Sequence, residues 1–143
     1  MNTAEAQLSS ELQELYLENK ETLSDILFLE VESRFLEKLV EKVLLSSLKE
    51  EKIKEIEFVN SNLVELQDRR DKLKILLSSQ QHSIENMLKA ADMVIEMSLL
   101  NHNTFITKEI KALLRADMLI KQELYAMVEQ VMAERKSGHL LLS

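Results

Sequence analysis

Residues 50–77 read EEKIKEIEFVNSNLVELQDRRDKLKILL, and the spacing within this stretch decides the fold. Lys52, Ile56, Val59, Leu63, Leu66, Arg70, Leu73 and Leu77 alternate by four and three residues, which puts them on one face of a helix with only two polar members among them. On the other faces Glu50/Lys54, Glu65/Arg69 and Asp68/Lys72 stand four residues apart with the acid first, the favourable order for a helical pair. An apolar face of this length must be covered by other helices, so the flanking segments should supply them.

The composition agrees on both sides of this stretch. The 143-residue chain has one glycine, no proline, no cysteine and no tryptophan, with 45% hydrophobic and 30% charged residues. Strands need β-branched and aromatic residues punctuated by turn formers, and aromatics are only 4% here. The expectation is all-α, an antiparallel bundle of three long helices with coiled-coil-like packing. The same scarcity excludes function classes. Walker loops, GxGxxG turns and nucleophile elbows depend on glycine, and thiol chemistry, zinc clusters and disulfides depend on cysteine. No run of about 18 apolar residues suggests a membrane span, and no secretory leader is read at the start, so a soluble, cytoplasmic protein is expected.

Before residue 50, Leu8, Leu12, Leu15, Ile26, Leu29, Leu36, Val40 and Val43 continue a helical stripe, interrupted by the polar Asn19, Thr22 and Ser33. Several capping residues in Asn19–Asp25 predict a kink or break near 19–24. Ser46-Ser47 predicts the first turn, with Ser47 and Glu50 at capping-box spacing. Ser78–Ser83, reading SSQQHS, predicts the second turn, with Ser83 as cap. Beyond it Ile84, Leu88, Ala91, Ile95, then Ile106, Ile110, Leu113, Ile120, Leu124, Val128 and Val131 mark a third helix, ending at Lys136–His139 where Gly138 offers a terminator. The expected helices are therefore 5–45, 48–77 and 83–135 in a single domain of 1–143, with a flexible apolar tail at 137–143.

The net charge of -7 is unevenly spread: residues 1–47 carry ten acids and four bases, whereas 48–77 balance and 78–143 are nearly neutral. An exposed acidic face is ordinary in helical proteins, but it also steers basic partners and disfavours nucleic acid. No metal site is expected. His82, His102 and His139 are each preceded three residues earlier by Ser79, Leu99 and Lys136, so none completes the Glu-x-x-His motif of di-iron bundles. No catalytic set, no cofactor and no enzyme activity is expected. Six of the seven methionines (Met87, Met93, Met97, Met118, Met127 and Met132) fall within residues 83–135, and Leu140, Leu141 and Leu142 follow the glycine. Methionine fills cores, but it also suits surfaces that repack against partners.

The arrangement resembles the FlgN-type flagellar export chaperones. The likeness is carried by LFLEVESRFLEKL at 27–39, a short serine break, EEKIKEIEFVNSNLVELQDRRDKL at 50–73, the Asn-rich NHNTFITKEIKALL at 101–114 and then Tyr125. The resemblance implies a cytoplasmic chaperone that binds amphipathic C-terminal helices of hook–filament junction proteins and delivers them to the type III export gate, without catalysis. In such helix-in-groove recognition the third helix would be the groove wall. Its candidate contacts are Ile106, Ile110, Leu113, Leu114, Met118, Leu124, Met127, Val128 and Val131. A second copy of the chain is a further candidate partner. The alternative is a structural coiled-coil or scaffold protein of a secretion apparatus, with no client.

Overall fold

The computed structural model describes residues 3–46, 49–89 and 97–142, with side-chain surroundings for 10–46, 49–89 and 97–136. It is an all-α three-helix bundle: α1 spans Thr3–Ser46, α2 Glu50–Lys89 and α3 Met97–Leu142. Glu50 and Glu51 sit in the first turn of α2 and Lys89 in its last, each sign favourable to the helix dipole there.

Each helix buries a single stripe at alternating steps of three and four. In α1 the stripe is Leu12, Leu15, Asn19, Thr22, Ile26, Leu29, Ser33, Leu36, Val40 and Val43, and in α2 it includes Ile56, Val59, Leu63, Leu66, Leu73, Leu77, Gln80 and Ile84. In α3 it includes Leu99, Ile106, Ile110, Leu113, Asp117, Ile120, Leu124 and Val131. Burying one such leucine or isoleucine is worth about 1.5–3 kcal/mol, and these stripes hold the bundle together.

Three expected interruptions are absent. The break near 19–24 does not form: Asn19 and Thr22 point inward at stripe positions, and the Thr22 hydroxyl donates to the Glu18 carbonyl at 3.0 Å without leaving the helix. Nor does the chain turn at 78–83. Gln80 keeps the phase between Leu77 and Ile84, Ser83 donates to the Ser79 carbonyl at 3.2 Å, and α2 runs on to Lys89. Without proline or glycine, serine and glutamine alone do not stop a helix whose apolar phase continues. Consequently α3 begins at Met97 rather than at 83, and Met87 belongs to α2. Finally, α3 passes through Gly138 to Leu142 rather than ending at Lys136–His139, since a helix tolerates one glycine at a cost of about 1 kcal/mol. The capping box at Ser47 and the stripe members Ala91 and Ile95 lie outside the described residues.

The chain divides into two compact units, Met1–Phe28 with Arg69–Leu113, and Leu29–Asp68 with Leu114–Ser143. In the first, Leu12, Leu15, Ile84 and Leu99 form a core cluster against which Tyr16 and Met87 pack. A polar layer crosses it. The Gln80 amide donates to Asn19 Oδ1 at 3.4 Å and to Asn103 Oδ1 at 3.3 Å, and Asn103 donates to Glu18 Oε2 at 3.3 Å. Arg69 pairs with Glu109, so α2 and α3 run antiparallel in this unit. A polar layer of this kind fixes register at some cost in stability.

In the second unit α1 and α3 run in the same direction, because Glu32 meets Lys121 and Ser46 meets Arg135. α2 runs opposite to both, with Gln67 donating to Glu37 at 2.6 Å and Lys52 paired with Glu134. The connectivity of this unit is thus up, down, up.

Candidate binding surface

The nine candidate contacts on the third helix separate into three groups. Ile106, Ile110, Leu113, Leu124 and Val131 are buried in the bundle's own stripe, which leaves them no free surface for a partner. Leu114, Met127 and Val128 are half-buried at its margins. Met127 lines a shallow groove of the second unit with Phe58 and Val59, rimmed by Lys54, Glu55 and Glu123. Of the nine, Met118 alone is exposed, at 51%.

Met118 belongs to a column that the inward stripe conceals. One residue beyond Asp117, Leu124 and Val131 stand Met118, Tyr125 and Met132, seven residues apart and 51%, 44% and 53% exposed. Leu119 is exposed beside them. From α1, Phe35 packs edge-to-face with Tyr125, with centroids 6.4 Å apart and planes at 71°, and Val31 stands one turn before it, also exposed. Aromatic rings in this edge-to-face arrangement form a stable platform that still offers its outer surfaces to solvent. Phe35, Val31 and Tyr125 lie off the most regular periodicity, which is the one the nine share. The weaker signal that points to Tyr125 is the seven-residue recurrence Met118, Tyr125, Met132.

A charged layer lies in the same unit. Lys121 donates to Glu32 Oε1 at 2.6 Å, and this bond holds the lysine above its ordinary range. Asp117, only 4% exposed, has its carboxyl pushed up to about 6, first by burial and then by the neighbouring Glu32 charge, with Lys121 opposing. Asp117 Oδ1 and Glu32 Oε2 are buried without a hydrogen-bond partner among the described residues. No three His, Asp or Glu side chains among the described residues converge into a group that could hold a metal ion. No helix of the described residues is long and apolar enough to cross a membrane.

The fold and this surface define a three-helix bundle with a closed core and an apolar column on the outside of its third helix. No family model matches the chain, and comparison with curated proteins and with solved structures found no match.

Proposed function

We propose that this chain is an export chaperone without catalytic activity, which captures amphipathic helices of client proteins on the outer face of its second unit and hands them to a type III export apparatus. The observation that carries the reading is the column Met118, Tyr125 and Met132 with Phe35 and Val31 beside it, apolar groups that the bundle's own packing leaves 44–64% exposed. Helix-in-groove recognition needs such anchors at steps of three, four and seven. Methionine and tyrosine suit them, one by adapting its shape and the other by offering a large rigid contact. The helical pattern shared with FlgN-type chaperones supplies the client class: C-terminal helices of hook–filament junction proteins.

A structural coiled-coil role is the second reading, and the buried stripes that recur from Leu12 to Val43, from Ile56 to Ile84 and from Leu99 to Val131 favour it. The two readings part on one experiment. Met118→Ser with Tyr125→Ser is expected to weaken binding of a labelled peptide from a junction protein's C-terminal helix at least tenfold, with helical circular dichroism unchanged. A scaffold protein would not bind the peptide before or after the substitutions, and equal binding by both forms would remove the column from the interface.

A further inference from the structure

The first 28 residues carry six acids and a single base, and five of the acids line up on one side of α1. Glu11, Glu14, Glu18, Glu21 and Asp25 follow one another at steps of three and four along α1, each one residue ahead of a core position at 12, 15, 19, 22 or 26. They form a second stripe beside the buried one, about 21 Å long at 1.5 Å per residue. The first four are exposed and Asp25 is half-exposed. Among the described residues none of the five is in an ion pair with a lysine or arginine. The local base, Lys20, lies over the ring of Tyr16 at 4.7 Å on another side of the helix. Some carboxylates further along the chain do meet cations, Glu32 with Lys121, Glu109 with Arg69 and Glu134 with Lys52, so what marks the stripe is five acids in line on one face of α1. Like charges at three- and four-residue spacing destabilise a helix, so this stripe works against the fold that carries it.

The face also carries apolar anchors. Leu17, 64% exposed, lies between Glu14 and Glu21 on the outer edge of the stripe, and Phe28, half-exposed, takes the next position after Asp25 at the same spacing. On α3 Asn103 touches Glu18, and Leu100, one turn earlier, is exposed. A line of carboxylates with no cation beside them, edged by leucine and phenylalanine, is complementary to a helix bearing lysine or arginine at steps of three and four beside an apolar stripe. It repels nucleic acid and anionic membranes, which share its sign.

We propose that this face of the first unit is a docking site for a basic amphipathic helix of another protein. The site is distinct from the apolar column of the second unit and does not depend on the chaperone reading. The partner's cations neutralise the stripe's self-repulsion as they bind, so the helix is steadied by the partner it recruits.

The test uses the full chain and a synthetic helical peptide with lysines at three-and-four spacing beside leucines, read by fluorescence anisotropy. A peptide with glutamate in place of each lysine serves as its control. Glu14→Gln, Glu18→Gln and Glu21→Gln together are expected to weaken the lysine peptide at least tenfold. Glu41→Gln, Glu57→Gln and Glu129→Gln, exposed in the second unit and equal in net charge, are expected to change it less than twofold. Leu17→Ser, which leaves every charge in place, is expected to weaken it about fivefold. The melting temperature of the stripe variant should hold or rise as repulsion is relieved. Equal loss in both charge variants would reduce the effect to overall charge and overturn the proposal. So would unchanged binding in the stripe variant, binding of the glutamate peptide, or a fall in melting temperature that showed the carboxylates to be supporting the fold.

Discussion

Leu113→Ala is expected to lower the stability of the chain by about 3 kcal/mol, whereas Met118→Ala, five residues further along the same helix, should change it by less than about 0.5 kcal/mol. Leu113 is fully buried at a stripe position of α3 and Met118 is half-exposed on its outer side. Truncating the leucine removes three carbon atoms from a packed core and leaves a cavity that helices held in register on both sides cannot close. At this chain length the loss corresponds to a fall in melting temperature of roughly 10 °C. Urea unfolding followed by circular dichroism measures both variants. The pair also discriminates between the two kinds of residue that periodicity selects together. If Leu113→Ala left stability unchanged and weakened helix capture, Leu113 would be a contact residue, and the buried stripe would have to be redrawn.

That pair shows what the sequence makes legible. The stripe of α2 can be read directly from residues 56–77, because Ile56, Val59, Leu63, Leu66, Leu73 and Leu77 are all buried. Its two polar members fit for a physical reason: Lys52 and Arg70 are half-buried and carry their charges out to Glu134 and Asp71, with the aliphatic stems left along the helix. The turns are harder to read. Clusters of serine, asparagine and glutamine resemble caps, but Asn19, Thr22 and Gln80 are stripe residues whose side chains are buried inside the bundle. Phase decides the matter. A polar residue that keeps the four-three spacing between apolar neighbours belongs to the helix, whatever its local preference. The same rule locates Asn103 between Leu99 and Ile106, where the apolar pattern alone drifts.

The outer surface was less legible for the opposite reason. In a chain that makes its own three-helix core, the most regular apolar stripe is consumed by the fold, which is why Ile106, Ile110, Leu113, Leu124 and Val131 are inside. A contact surface added on the outside is interrupted by solvated residues such as Gln122 and Glu129, and its period of seven is carried by only three side chains. Charge was easier to assign than contact. The excess of acids in the first third is visible by counting, whereas the exposure of the face of α1 along which they line up is a property of the packed bundle.

Asp117 provides the second large effect, through pH. In the unfolded chain its carboxyl titrates near 3.8, and in the bundle near 6, because burial and the Glu32 charge disfavour the anion. Between these values the folded state holds a proton that the unfolded state has released, so stability rises as pH falls from about 6 towards 4 and gains nothing further below that. Above 6 the ionised carboxylate remains at a stripe position with one oxygen unpaired among the described residues, and the penalty is complete. The shift corresponds to about 2 kcal/mol once partial solvent screening is allowed for. Glu134 contributes in the opposite direction, since its bond to Lys52 holds its carboxyl below the ordinary range and that support is lost in acid. A variant separates the two. Asp117→Asn keeps the size and a hydrogen-bonding group, never ionises, and is expected to be about 2 kcal/mol more stable than the parent at pH 7.5, with the advantage shrinking to near zero at pH 4. Urea midpoints measured across that range for both proteins give the difference curve directly. Parallel profiles would show that Asp117 is not the titrating group, and a less stable Asp117→Asn at pH 7.5 would mean that the ionised carboxylate is held by cationic partners strong enough to outweigh its burial.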